Sequence, residues 1–136
     1  MGKALGIDYG TKRTGIAITD SLQIIASGLT TISTRSIYNF IDNIIYKENI
    51  DYIVVGSPKN LDGSSTECTP HVDRFIARFK KLYPLISVYQ IDERYTSKIA
   101  KKSILFCGVK KGKRRDKALV DMVSATIILQ NYLDFR

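Results

Sequence analysis

The sequence predicts an α/β protein with a mixed five-stranded sheet, an antiparallel meander of three strands followed by two parallel strands, flanked by helices. Two observations lead to this prediction. The first 34 residues contain three extended apolar segments joined by short polar connections, which is typical of a meander. After them the apolar spacing changes to the helical period, and helical segments alternate with short apolar strands. With 136 residues and 44% hydrophobic content, we expect one domain over residues 1–136.

The predicted meander consists of residues 3–9, 14–19 and 25–34. Residues 10–13 read Gly-Thr-Lys-Arg and connect the first two segments as a hairpin turn. Gly10 stands where a positive φ is expected in such a turn. The third segment is rich in threonine and isoleucine, which favour strands.

The first helix is predicted after Ser36, a residue type that favours the N-cap position. Its apolar residues recur on one helical face, at Ile37, Phe40, Ile41, Ile44 and Ile45. The short apolar run 52–56 then predicts a strand that is covered on both faces.

A second helix is predicted from Thr69 and Pro70, which suit an N-cap and a first helical position, to Leu82, with Pro84 stopping it. Residues 85–91 form the last predicted strand. Right-handed crossovers leave few other arrangements for the two parallel strands. This is the architecture of the ribonuclease H-like fold.

Two more helices are predicted near the end of the sequence. The shorter spans residues 97–107 and ends at Gly108. The longer spans residues 117–133 and is expected to turn apolar residues toward the core, namely Leu119, Met122, Val123, Leu129 and Leu133.

The composition favours a polyanionic partner. The formal net charge is +8, from 21 Lys and Arg against 13 acidic residues, and such a surplus is typical of proteins that bind nucleic acid. No apolar run approaches the ~20 residues needed to cross a bilayer, and no signal-like segment opens the sequence, so a cytoplasmic location is expected. Cys68 and Cys107 lie far apart with only His71 to assist them, which makes a zinc site an unfavoured interpretation.

Asp8 stands out because it interrupts an apolar run, Leu5-Gly6-Ile7-Asp8-Tyr9. Burial of a carboxylate costs several kcal/mol unless a partner compensates it. The sequence therefore predicts either a hydrogen-bond network or a bound cation at this residue.

Four motifs in order resemble the bacterial Holliday-junction resolvase-like nucleases of the ribonuclease H-like superfamily. They are Gly6-Ile7-Asp8-Tyr9-Gly10; the loop Gly56-Ser57-Pro58 with Asn60, Asp62 and Gly63; Asp92-Glu93-Arg94 with Thr96-Ser97; and the basic loop leading to Val120-Asp121. The resemblance covers nearly the whole chain and implies a metal-dependent endonuclease that processes the 5′ end of the 16S rRNA precursor. The sequence departs from the family's pattern at Ser57, where an aliphatic residue is usual. The authentic junction resolvases carry their second acidic residue at the end of the fourth strand, and here Glu93 would substitute for it.

Asp8, Glu93 and Asp121 are the candidate catalytic and metal-binding residues, and they lie on three separate predicted elements. Mg²⁺ or Mn²⁺ takes oxygen ligands, and two cations about 3.5–4 Å apart can activate a water and stabilise the leaving oxygen. Without a cation, converging carboxylates repel one another. The hypothesis is hydrolysis by an in-line water with no protein nucleophile.

Each acidic candidate also has a structural interpretation. Asp8 could accept hydrogen bonds from its own turn, and Glu93 could pair with Arg94 or Lys98, with Asp92 competing for its role. Asp116 is explained as a helix N-cap, whereas Asp121 lies one turn inside the last helix among apolar neighbours, on a face shared with Ser124. Thr96 and Ser97 would by default cap the helix that follows them. His71 reads as a surface residue and is assigned no catalytic role.

The predicted nucleic-acid surface combines three basic regions. The loop 56–65 could hold a phosphate on its backbone N–H groups, and a plain surface turn is the alternative for it. A solvated charged loop is the alternative for the basic segment 110–117. The candidate contacts are Lys12, Arg13, Lys59, Asn60, Arg94, Lys110, Lys111, Lys113, Arg114 and Arg115.

Other functions stay open at this point. The Asp-x-Gly-Thr turn also resembles the phosphate loop of sugar kinases and actin-like ATPases, which need a second lobe. A catalytically inactive nucleic-acid-binding module would keep the same fold. The sequence does not choose between a ribosomal RNA precursor and a four-way DNA junction, or between a monomer and a homodimer.

Overall fold

The computed structural model describes residues 2–57, 69–92 and 117–136, and at Asp92 only the backbone. Its strands are β1 (Lys3–Asp8), β2 (Arg13–Thr19), β3 (Ala26–Ser33), β4 (Ile50–Ser57) and β5 (Ser87–Asp92). Its α-helices are α1 (Ile37–Lys47), α2 (Thr69–Leu82) and α3 (Lys117–Phe135), and a 3₁₀ turn, Thr34–Ser36, precedes α1. None of the helices in these ranges is long and apolar enough to cross a membrane.

The five strands form one mixed sheet in the order β3-β2-β1-β4-β5. β1 pairs antiparallel with β2, and β2 pairs antiparallel with β3. β4 lies parallel to β1 on one side and to β5 on the other. The predicted α/β fold class, a meander followed by two parallel strands, is confirmed.

Two strands begin later than predicted. The predicted strand 25–34 starts at Ala26, because the Asp20 carboxylate accepts hydrogen bonds from the backbone of Ile24 and Ile25, each at 2.9 Å. These backbone N–H donors, Ile25 first, lower the pKa of Asp20. The predicted strand 85–91 starts at Ser87, because the N–H of Ile86 closes a turn onto Tyr83 O and leaves Leu85 exposed.

The predicted cap of α1 is only half right. Ser36 occupies the N-cap position, but its side chain makes no capping hydrogen bond. Its backbone has φ −97° and ψ 8°, because the preceding 3₁₀ turn already brings the chain into the helix, whereas a capping serine usually has an extended backbone.

One face of the sheet packs against α1 and α2. Strand residues such as Leu5, Ile16 and Val55 are fully buried there against Ile41 of α1 and Phe79 of α2. This larger apolar cluster fixes the strands and leaves the other face for α3.

The opposite face approaches α3 closely through glycines. A side chain on Gly6 would come within 2.7 Å of the Ala125 carbonyl oxygen, and one on Gly28 within 2.9 Å of Met122. The helix accordingly buries its small residues Ser124 and Ala125, while three of the residues predicted to face the core, Leu119, Met122 and Val123, are only partly buried. Leu129 and Leu133, also predicted to face the core, are buried together with Ile128. The predicted face is therefore right in the second half of α3, whereas in the first half the buried residues are Ser124 and Ala125.

Several predicted elements lie outside the described residues. They are loop residues 58–65, helix 97–107 with Gly108, and the basic segment 110–115. The two cysteines, Cys68 and Cys107, lie outside them as well.

Candidate active site

Asp8 is the last residue of β1 and is partly buried. The sequence suggested that Asp8 interrupts a strand, but it lies at the strand's end. Its carboxylate is therefore less desolvated than it would be in the middle of the strand. Residues on one face of a strand alternate, and Asp8 therefore shares the face of Gly6, which contacts α3. Across the antiparallel pair with β2, the residue in register with Asp8 is Gly15.

Gly15 is also the residue on which Asp121 rests. A Cβ atom on Gly15 would overlap the backbone carbonyl of Asp121, in the second turn of α3. Asp8 and Asp121 are thus both immediate neighbours of Gly15, at the same end and on the same face of the sheet. The structure brings together two of the three predicted metal ligands, and the third, Glu93, lies outside the described residues.

The turn at residues 10–13 follows Asp8 and is held by two threonines. Thr34 Oγ1 donates to the Gly10 carbonyl oxygen at 2.6 Å and lies 2.8 Å from the buried Thr14 Oγ1. The N–H of Thr34 also donates to Lys12 O at 3.0 Å. These bonds fix the backbone of the turn against the 3₁₀ turn before α1.

Gly10 is required in this turn for a different reason from the predicted one. Its φ does not lie in the left-handed region. A Cβ atom at this position would instead collide with the carbonyl oxygen of Arg13, so close approach of the backbone, and not a positive φ, explains the glycine.

Arg13 pairs with Asp121 across 108 residues of sequence. Its Nε donates to Asp121 Oδ2 at 2.9 Å, and the two side chains are 42% and 23% exposed. An ion pair as exposed as this contributes about 0–1 kcal/mol. Arg13, which the sequence predicts to contact phosphate, is therefore bound to Asp121, whose carboxylate is predicted to hold a metal ion.

An open pocket of about 510 Å³ lies beside this ion pair. It is lined by residues 10–13, by His71 of α2, and by Lys117 and Asp121 of α3. Three of these side chains, Lys12, Arg13 and Lys117, are cationic, and Asp121 is the single carboxylate that the described residues contribute to the lining. The pocket therefore suits an anionic ligand next to an acidic centre.

His71 was assigned no role from the sequence, yet it lines this pocket. Its Nδ1 lies 2.9 Å from Arg74 Nη2, and because a guanidinium only donates, Nδ1 is the acceptor and the neutral ring carries its proton on Nε2. A topological signal was available: β1 and β4 are parallel, so a helix that returns after β4 begins near the end of the sheet where Asp8 lies.

The residues present suit a hard divalent cation. Asp8 and Asp121 offer carboxylate oxygens, and the guanidinium of Arg13 already stands against Asp121 where a positive charge is favoured. The Oγ of Ser124, one turn further along α3, is buried without a hydrogen-bond partner among the described residues. Within residues 2–57, 69–92 and 117–136, no group of three His, Cys, Asp or Glu side chains is assembled, so a complete ligand set would need a side chain that the structure does not describe, for which Glu93 is the predicted candidate and Asp92 its competitor.

Only some of the predicted nucleic-acid contacts lie within the described residues. Lys12 and Arg13 line the pocket, and Lys117, at the end of the predicted basic loop, joins them. The contacts that lie outside the described residues are Lys59, Asn60, Arg94, Lys110, Lys111, Lys113, Arg114 and Arg115. The candidate alternatives at Thr96, Ser97 and Asp116, and the side chain of Asp92, are outside them too.

The arrangement of strands and helices is that of a ribonuclease H-like α/β domain. The Thermus thermophilus RuvC structure in complex with a Holliday junction substrate aligns with a TM-score of 0.58 at 15% identity, covering 100% of this chain and 96% of that one. A second T. thermophilus RuvC structure aligns with a TM-score of 0.53 at 12% identity, covering 98% and 95%. At these identities the similarity establishes the fold.

Within this class, residues 2–135 match the family described as RuvX, Holliday junction resolvase, and the chain belongs to that family. Curated relatives carry the name "Putative pre-16S rRNA nuclease". The protein of Christiangramia forsetii is 47% identical over 133 residues, covering 98% of both chains. That of Bacteroides thetaiotaomicron is 46% identical over 134 residues, covering 98% of this chain and 97% of the relative. The resemblance found in the sequence motifs is confirmed.

Proposed function

We propose that this protein is a metal-dependent endonuclease that hydrolyses phosphodiester bonds in the precursor of 16S rRNA during ribosome maturation in the cytoplasm. The proposal rests on one observation: Asp8 and Asp121 are both immediate neighbours of Gly15, beside a pocket lined by cationic side chains. Membership of a nuclease family and the names of relatives 44–47% identical over nearly the full length support it.

In this proposal Asp8, Glu93 and Asp121 hold Mg²⁺ or Mn²⁺. The bound ions, two in the full hypothesis, would neutralise phosphate charge and lower the pKa of the attacking water. Lys12, Arg13 and Lys117 hold backbone phosphates, because their charges line the pocket next to the Asp121 carboxylate. His71 adds an Nε2–H donor at the same wall.

The backbone contact at Gly15 serves the chemistry by fixing one ligand relative to another. Metal ligands and reacting groups lose efficiency when displaced by about 1 Å. Asp121 is positioned by main-chain packing on β2, and Asp8 by the β1 ladder, so neither position depends on the conformation of a long side chain.

The proposal is tested with a panel of substrates: 16S rRNA precursor fragments, unrelated structured RNA and four-way DNA junctions, each with and without Mg²⁺ or Mn²⁺. We expect cation-dependent cleavage of the precursor fragment and a loss of at least about 100-fold in Asp8→Asn, since even outer-shell changes at metal sites cost 10–100-fold. Asp134→Asn, at the far end of α3, is the matched control and should cleave normally. Full activity of Asp8→Asn would remove Asp8 from the site.

A second substrate, the four-way DNA junction, is favoured by the description of the family as a Holliday junction resolvase. Resolution of a junction needs two active sites, so this branch requires a homodimer. Cleavage of junctions in preference to RNA, by a species that sedimentation shows to be dimeric, would favour it. Binding of the panel without cleavage under any cation would instead indicate an inactive nucleic-acid-binding module.

A further inference from the structure

The ion pair between Arg13 and Asp121 conflicts with the roles that the proposed function gives to both residues. Arg13 donates through Nε to Oδ2 at 2.9 Å. While this bond persists, a cation approaching Asp121 meets a positive charge, and the Nε–H of Arg13 is not available to a phosphate. Asp121 can offer Oδ2 to a cation, and Arg13 can offer its Nε–H to a phosphate, only if the pair separates.

The surroundings of the pair favour an exchange of partners. Both side chains are partly exposed, and the contact joins a single nitrogen to a single oxygen, whereas a guanidinium can bind a phosphate through two parallel N–H groups. The pocket beside the pair carries Lys12, Lys117 and His71 on its other walls. A phosphate entering it would be attracted by these groups and would reach Arg13 at the same time.

We propose that the pocket formed by residues 10–13, His71 and Lys117 binds a backbone phosphate of the nucleic acid, and that this phosphate takes Arg13 from Asp121 and frees the carboxylate for the cation. Arg13 is then a positioning residue that acts as a latch on the metal site. The inference rests on the proposed function, since it assigns Asp121 to the cation and a nucleic acid to the pocket.

The latch makes cation and nucleic acid bind cooperatively. Each ligand removes a cost that the other would otherwise meet, namely displacement of the guanidinium from Asp121. Linkage requires the coupling to be reciprocal. Without nucleic acid the latch is closed and the cation binds weakly.

The test measures Mn²⁺ affinity from the spectroscopic signal of free Mn²⁺, with and without a short RNA oligonucleotide that a gel shows intact afterwards. Binding of Mn²⁺ to the oligonucleotide alone is subtracted. In the unmodified protein we expect the oligonucleotide to raise Mn²⁺ affinity about 5-fold or more, within the usual range of coupling between sites. In Arg13→Gln, Mn²⁺ affinity without oligonucleotide should already rise several-fold, and the coupling should shrink toward 1-fold.

Two variants keep the test specific. Lys81→Gln removes the same charge at the exposed far end of α2 and should retain the full coupling. Asp121→Asn should show weak Mn²⁺ binding in both states.

Equal Mn²⁺ affinities of Arg13→Gln and the unmodified protein without oligonucleotide, or unchanged coupling, would overturn the latch. Absence of Mn²⁺ binding in every state would overturn the proposed metal site and the latch together, whereas cleavage with unlinked binding would overturn only the latch.

Discussion

Gly15 has no side chain, and its absence lets two carboxylate-bearing residues, Asp8 and Asp121, lie close to the same point of the sheet. It lies in register with Asp8 on one side and beneath the carbonyl of Asp121 on the other. The atoms that crowd it are backbone atoms of α3, which cannot rotate aside as a side chain can. The distance between the two carboxylate-bearing residues therefore depends on the absence of one Cβ atom.

Replacement of Gly15 by Ala should push α3 away from β2. We expect the free energy of unfolding to fall by about 1–3 kcal/mol, the usual cost of overpacking, and cleavage to fall because Asp121 moves with the helix. Urea unfolding and cleavage assays measure the two effects.

Gly28→Ala is the matched control for Gly15→Ala. Its added methyl meets the flexible side chain of Met122, with Cγ the nearest atom at 2.9 Å, so a smaller loss of stability and normal cleavage are expected. Equal effects of the two substitutions would contradict the role given to Gly15.

Residue identity in the sequence was enough to propose Asp8 and Asp121 as candidates, because a carboxylate in an apolar segment is costly and calls for a partner. The same reasoning could not find the Arg13–Asp121 pair. That contact depends on the side-chain conformations of two residues 108 positions apart, and the local sequence around Arg13 is equally compatible with a side chain that points into solvent. The sequence could not place His71 at the pocket, because the position of a lone histidine relative to the site depends on the fold.

At the scale of elements, the turn between β1 and β2 is held from outside the hairpin. Thr34, in the 3₁₀ turn, reaches both Gly10 and Thr14, so the geometry of the turn depends on the end of β3 as well as on its own residues. The glycine and the turn were predictable from local sequence. The threonine bridge was not, because it joins segments that approach only after the meander has formed.

Replacement of Thr34 by Val should leave the Thr14 hydroxyl and the Gly10 carbonyl short of a partner. We expect a loss of about 1–3 kcal/mol in the free energy of unfolding, as for other buried polar groups that lose a partner, together with weaker binding of nucleic acid by a looser turn. Denaturant unfolding and fluorescence anisotropy provide the measurements.

The double variant Thr14→Val/Thr34→Val tests whether the two hydroxyls act on each other. Their effects should be less than additive, since each substitution removes the same bond. Thr30→Val is the control, because the hydroxyl of Thr30 makes only a long contact of 3.4 Å to Thr31 O and its loss should be nearly neutral. Strict additivity in the double variant would argue against the bridge.

At the scale of the whole molecule, the net charge of +8 can be read directly from the sequence. The structure shows where some of the basic residues that contribute to it lie. Lys12, Arg13 and Lys117 gather at the pocket, whereas Lys80 and Lys81 lie in the last turn of α2. Net charge alone predicts attraction to a polyanion, but only the fold shows which charges share a surface with the acidic pair.

The basic segment is expected to supply further phosphate contacts. Replacement of Lys113, Arg114 and Arg115 by Ala should weaken RNA binding and make it less sensitive to salt, because each phosphate contact contributes about −0.7 to −0.9 to the slope of log K against log salt. Affinities measured over a range of salt concentrations give the slope.

Replacement of Lys47, Lys80 and Lys81 by Ala removes the same total charge elsewhere. If these three residues make no phosphate contacts, the salt slope should stay close to that of the unmodified protein. An identical change of slope in both triple variants would mean that overall charge, and not the basic segment, determines binding.

The support of Asp121 on the Gly15 backbone has a consequence for the order in which the molecule becomes active during its own synthesis. The five-stranded sheet and the helices of its larger core are all encoded before α3, the last element that the structure describes. A ribosome-bound chain can thus present Asp8 and its turn before Asp121 is in place. Because Asp121 lies on α3, the candidate active site is complete only when α3 has packed onto Gly6, Gly15 and Gly28, and the elements encoded earlier cannot form it by themselves.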